Sequence, residues 1–211
     1  MLSEDTFETH FPIVVMVRNH SGIERLNDSL KSVIFKLENQ YVDTDQNAAV
    51  NGDSTTRGGF QTPATMAFLD LGETPTKELK GAVILPAVER YLDEVLDCDP
   101  MFTPFKMASW ANVLHEGHWQ APHIHPKEYT IISGVYYVDV PSQPAPTGHL
   151  EFINPHPISV PLGAQAMTRS HQPVTGQLLL FPPYYMHYVN PMGKGGPRIV
   201  VSFDVRLNPG S

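Results

Sequence analysis

The chain has 211 residues, 41% of them hydrophobic and 17% charged, which is enough apolar material for a substantial core and excludes a disordered polymer. Its net charge of −8 opposes general nucleic-acid binding, which needs basic patches against phosphates, although one well-placed cation can still hold a small anion. The only cysteine, Cys98, rules out an internal disulfide framework and points to a reducing compartment. Lying between Asp97 and Asp99, it is disfavoured as a thiolate nucleophile and reads as a small residue at a helix end.

Glu4 and Asp5 stand where a secretory leader carries positive charge. Residues 11–17 (FPIVVMV) read as a buried strand, far too short to cross a bilayer. A cytoplasmic protein with no membrane partner is the expectation. Ser21 followed by Glu24 is a capping-box signal. Behind it Ile23, Leu26, Leu30, Val33, Ile34 and Leu37 recur at helical spacing, which predicts a helix over 21–39. Residues 42–63 are polar and glycine-rich and read as a long surface loop. A second helical stretch covers 77–97, with Pro86 expected to kink or split it.

From about residue 105 the texture changes. Short β-rich runs appear at 105–114, 129–140, 150–154, 177–181 and 198–207, separated by Pro, Gly and Asn. Such spacing predicts a sandwich or barrel. Helices followed by strands predict one α+β, mainly β domain over 1–211. Residues 1–104 would form a helical support region carrying the 42–63 loop, packed outside a β core at 105–207.

The chemistry-bearing residues concentrate in LHEGHWQAPHIHP, which supplies His115, His118, His123 and His125. On a strand, residues i and i+2 share a face, so His123 and His125 can converge on one ion. Glu128 follows and could add a carboxylate. A third histidine, His187, comes after an apolar strand and the Pro182–Pro183 turn. Two ligands from one strand region and one from a distant strand form a usual open transition-metal site. A histidine pair on a strand is more often ordinary surface or core. That plainer reading suits His10, His20, His149, His156 and His171, and it stays open for His115 and His118, beside a channel-lining role. The combined spacing of His123, His125 and His187 favours a metal.

Five segments in order carry a resemblance: PHIHP at 122–126, SGVYYV at 133–138, GHLEFINP at 148–155, GQLLLFPPYYMH ending at His187, and RIVVSF at 198–203. Over roughly 105–207 the chain resembles the 2-oxoglutarate and Fe(II)-dependent oxygenase superfamily, closest to a bacterial branch with a Pro-His-x-His-Pro motif. The resemblance implies a double-stranded β-helix (a jelly roll, cupin-like) with the N-terminal helices on the outside of the barrel. It also implies an iron triad of His-x-Asp/Glu and a distal His. His123 matches the first position and His187 the last. His125 stands where the carboxylate is expected and is the favoured third ligand, with Glu128 as the alternative.

The resemblance further implies that Arg198, eleven residues past His187, binds the far carboxylate of 2-oxoglutarate. A guanidinium fork suits that task. Tyr137 and Asn112 match neighbouring cosubstrate contacts. Against this, Arg198, Val200, Ser202, Asp204 and Arg206 alternate with apolar residues, as a solvated strand face would. The implied reaction decarboxylates 2-oxoglutarate to succinate and uses molecular oxygen to hydroxylate a small-molecule or amino-acid-like substrate. The 42–63 loop is a candidate lid, and Trp110, Trp119, Tyr184 and Tyr185 are candidate pocket residues or core. Two rivals remain. A cupin-type metal enzyme would use His123, His125, Glu128 and His187 without 2-oxoglutarate, and Tyr184 departs from its pattern. A non-catalytic metal or small-molecule binding module is the other. A homodimer would be compatible with all three.

Overall fold

The structure, a computed structural model, describes residues 6, 10–42, 55–125, 129–156 and 167–208. Two antiparallel sheets face each other. The larger runs in the order β1 (Met16–Asn19), β9 (Gln177–Phe181), β6 (Thr130–Asp139), β11 (Arg198–Leu207), β4 (Phe105–Leu114) and β3 (Phe60–Gln61). The smaller runs β2 (Thr56–Arg57), β5 (Trp119–His123), β10 (His187–Val189), β7 (Leu150–Ile153) and β8 (Thr168–His171). This is the expected jelly roll, and the helices α1 (Glu24–Val42), α2 (Thr74–Glu78) and α3 (Leu85–Leu96) pack on the outer face of the larger sheet.

That arrangement explains why the central strands are apolar on both faces. Outward, Ile132, Tyr136, Val138, Leu178, Leu180 and Val201 join Leu26, Leu30, Ile34, Val88 and Leu92 of the helices in one core. Inward, Leu114, Val135, Tyr137, Leu179, Phe181 and Val200 meet Leu150, Phe152 and Val189 of the smaller sheet in a second core. The adjacent tyrosines of β6 part accordingly. Tyr136 donates its hydroxyl to Asn27 Oδ1 of α1 at 2.8 Å, whereas Tyr137 points into the barrel core. The pleat sends neighbours to opposite faces.

Three expectations need correction. Residues 11–17 do not form a buried strand. Only Met16–Asn19 pair, along one side of β9, and Phe11 is 92% exposed. As an edge strand, β1 needs no apolar outer face. Of the kink or split expected at Pro86, the split does not occur. The second helix runs from Thr74 to Leu96 through a π-helical stretch, Leu79–Ile84. Pro86 lacks an N–H and crowds the preceding turn, and the wider π turn absorbs that fault without ending the helix. Finally, the 42–63 segment is not all loop. Its last part forms β2 and β3, which pair with β5 and β4 and so touch both sheets. Most of the proposed lid, 43–54, lies outside the described residues.

Gly134 shows why a strand centre carries a glycine. A Cβ there would lie 2.3 Å from Cζ of Phe203, its cross-strand partner on β11, so the buried ring lies flat over bare backbone. Among the described residues no helix is long and apolar enough to cross a membrane.

Candidate active site

Strands β5 and β10 are neighbours, and their register puts His123 opposite His187. His125 lies two residues further on, just past the end of β5, where its backbone N–H donates to the Pro183 carbonyl at 2.8 Å. The proline turn before β10 therefore fixes His125 to the same corner as His187. Ring centroids are 4.3 Å apart for His123 and His187, 5.2 Å for His123 and His125, and 5.3 Å for His125 and His187. One donor atom from each imidazole lies within 4.8 Å of the other two.

The tautomers follow from the partners. His123 Nδ1 sits 2.7 Å from the Ala121 carbonyl and His187 Nδ1 2.8 Å from the Tyr185 carbonyl. A carbonyl only accepts, so both Nδ1 atoms carry the hydrogen and both Nε2 atoms keep a lone pair. His125 Nδ1 lies 2.9 Å from Asp204 Oδ1, again an acceptor. All three rings thus expose Nε2, the arrangement that ligating histidines use. Burial lowers the pKa of His123 to about 4, with its carbonyl hydrogen bond opposing. Burial, reinforced by His123, holds His187 well below its usual range. Both are therefore neutral and ready to ligate at neutral pH.

A cavity of about 200 Å³ opens on this triad. Its walls include Trp110, Gln120, Phe181, Arg198, Ser202 and Arg206. Arg198, at the start of β11, is 1% exposed, and among the described residues its Nε and Nη1 have no hydrogen-bond partner. Its guanidinium carbon lies 5.1 Å from the Tyr137 ring centroid, and the buried Tyr137 hydroxyl also lacks a partner. Burial pulls the Arg198 pKa down and pushes that of Tyr137 up, each partly opposed by the other. A buried cation without a counter-charge is costly, so this corner calls for an anion that accepts from several donors.

The strand that reads as polar-out is the reverse. Arg198, Ser202, Asp204 and Arg206 of β11 line the cavity. Asn112 is fully buried on β4 and donates to Gln61 Oε1 at 2.9 Å and Thr56 Oγ1 at 3.4 Å. Gln61 itself lines the cavity. Glu128 lies outside the described residues. His115 and His118 sit away from the cavity. His115 Nε2 lies 2.8 Å from Glu38 Oε1, and its backbone N–H donates to His118 Nδ1 at 3.1 Å. Trp110 stacks on His125 at 5.8 Å, whereas Tyr185 stacks on Phe152 in the core and Tyr184 is exposed.

Sequence reasoning missed Asp204, Gln61 and Gln120. The usable signal for Asp204 was strand parity, since it lies six residues past Arg198 and hence on the same face.

Residues 108–204 match the family model described as "Putative 2OG-Fe(II) oxygenase". The fold is similar to a prolyl-4-hydroxylase from Pseudomonas putida (TM-score 0.62, 14% identity, 92% of each chain covered). It is similar to a prolyl hydroxylase from Trichoplax adhaerens in complex with a hypoxia inducible factor oxygen degradation domain peptide fragment (TM-score 0.63, 13% identity, 91% of this chain and 83% of that one). It is also similar to HygX from Streptomyces hygroscopicus with nickel and 2-oxoglutarate bound (TM-score 0.58, 11% identity, 91% and 82%). No curated protein sequence matches the chain.

Proposed function

Because residues 108–204 match a family model for 2-oxoglutarate/Fe(II)-dependent oxygenases, we propose that this chain is a hydroxylase that holds iron(II) through Nε2 of His123, His125 and His187. What carries the reading is the pairing of two unsatisfied features in one cavity: three convergent imidazole lone pairs and a buried guanidinium with two nitrogens unpartnered among the described residues. The donor set fits a divalent first-row metal. The unpartnered Arg198 and Tyr137 groups fit a carboxylate, which accepts bidentately from arginine.

Bound iron(II) supplies the oxygen-activating chemistry, and 2-oxoglutarate supplies two electrons. The reaction would leave one oxygen atom of O2 in succinate, with loss of carbon dioxide, and the other in the substrate hydroxyl. The chain's own residues position and shield. Arg198 and Tyr137 would hold the far carboxylate of 2-oxoglutarate. Asn112 holds Gln61 at the cavity wall. Phe181, Val135 and Leu150 keep the floor dry, which confines the oxidant to the substrate.

A small-molecule or amino-acid-like substrate suits the outer wall. Trp110 and Ile124 offer apolar surface there, and Arg206 Nε, buried without a partner among the described residues, is a donor for a substrate carboxylate.

Anaerobic addition of Fe(II) and 2-oxoglutarate should produce a weak visible charge-transfer band, and exposure to air should release succinate. Arg198→Ala should remove the band while leaving Fe(II) bound. Metal binding with neither band nor succinate would defeat the reading and favour a cupin-type site. Absence of metal binding would leave a plain binding module.

A further inference from the structure

Three neutral imidazoles give an iron site one negative charge less than a triad with a carboxylate. A buried carboxylate nevertheless stands one bond further out. Asp204 is 3% exposed. Its Oδ1 lies 2.9 Å from His125 Nδ1, and Ser133 Oγ donates to the same oxygen at 2.9 Å. Building on the metal reading above, we infer that Asp204 is the displaced carboxylate of this centre, a positioning residue that acts on the metal through the His125 ring.

Several observations converge. Asp204 is paired on both sides, with Ala108 of β4 and Ser133 of β6, so two neighbouring strands hold its backbone in place. His125 lies beyond the end of β5 and has no ladder of its own. Asp204 on one side and Trp110, stacked within 19° of parallel, on the other fix its ring. The hydrogen bond does two things. It locks the hydrogen on Nδ1, keeping Nε2 for the metal, and it makes that nitrogen a more basic ligand. His123 and His187 bond to neutral carbonyls, so among the three only His125 transmits a full charge.

Arg206 is the cation beside Asp204 among the described residues. Its Nη2 is 3.6 Å from Asp204 Oδ2, beyond hydrogen-bond range, and its side chain is more exposed than that of Asp204. It therefore screens the carboxylate from the solvent side without taking the oxygen that faces His125.

The test is Asp204→Asn, which can keep an acceptor toward His125 Nδ1 and removes only the charge. Titration of the metal-free protein with Co(II) and Fe(II) should show metal affinity lower by roughly 10–100-fold, and the Fe(III)/Fe(II) potential should rise. The unfolding midpoint of the metal-free protein should move little. Affinity within twofold of wild type together with an unchanged potential would overturn the inference.

His125→Ala separates the two levels of argument. If it binds metal as wild type does, the three-histidine reading itself fails. If it loses metal while Asp204→Asn does not, only the role of Asp204 fails. Should Asp204→Asn not fold, proton NMR of the Co(II) wild-type protein decides. Three exchangeable, hyperfine-shifted N–H signals are expected, one from each Nδ1–H, and two signals would overturn the inference.

Discussion

At the residue scale the site depends on which nitrogen of each ring is occupied. Two carbonyls and one carboxylate take the Nδ1 hydrogens, and the metal-facing nitrogens are left as lone pairs. Burial keeps His123 and His187 neutral, with pKa values below that of a free imidazole. In the unfolded chain both titrate near 6.5, so between about 6.5 and 4 the unfolded state binds more protons than the folded one. The stability of the metal-free protein should therefore be fully present above pH 6.5 and fall as the pH drops toward 4. Urea midpoints across that range, with a chelator present, check this, and a flat profile contradicts it. At the other corner, Arg198→Lys keeps the charge and loses the fork. The dissociation constant for 2-oxoglutarate should rise roughly 10–100-fold, the effect of losing one charge-assisted bond, as read from the charge-transfer band.

At the scale of elements, the larger sheet is a partition between two cores, and changes on its two sides should separate. Leu30 of α1 is fully buried on the helix side. Leu30→Ala should cost about 2–5 kcal/mol of stability, measured by urea unfolding, and leave metal affinity within twofold. Gly134→Ala acts within the sheet. Its methyl group would collide with the Phe203 ring, so about 1–3 kcal/mol should be lost to overpacking. The π turn in the α2–α3 helix is a local accommodation of Pro86. It keeps Leu79, Val83 and Ile84 buried against the sheet, where a broken helix would have exposed some of them.

At the scale of the whole molecule, the proposed metal would join parts that are far apart in sequence. His123, His187 and Asp204 belong to three strands in two sheets. A ligand that binds only the folded state adds stability by mass action, about 2.7 kcal/mol at a hundredfold excess over Kd. Thermal unfolding should therefore shift upward with added Fe(II) or Co(II) and fall back with EDTA, and this shift should vanish in His187→Ala. An unaltered shift in that variant would count against the triad. The net charge of −8 sets a field that favours metal cations over free anions, which makes the buried Arg198 the local exception.

The sequence by itself determined the strand-rich second half, the helix behind Ser21, and the histidines worth testing, because hydrophobic period and motif spacing are local properties. It also singled out Arg198, which lines the same cavity as His187. It could not show that the alternating face of 198–207 points inward. A polar-in strand and a polar-out strand have the same period, and only the second sheet packed across it tells them apart. It likewise could not show that Tyr137 shares a wall with Arg198 while Tyr136 binds a helix, or that residues 56–61 pair with both sheets. Those facts depend on pairing between distant segments. The three histidines were legible as a group able to hold a metal ion. That His125 is backed by Asp204, 79 positions later in the numbering, was decided only by the tertiary structure, because strand register brought a charge to a ring that no local pattern connects to it.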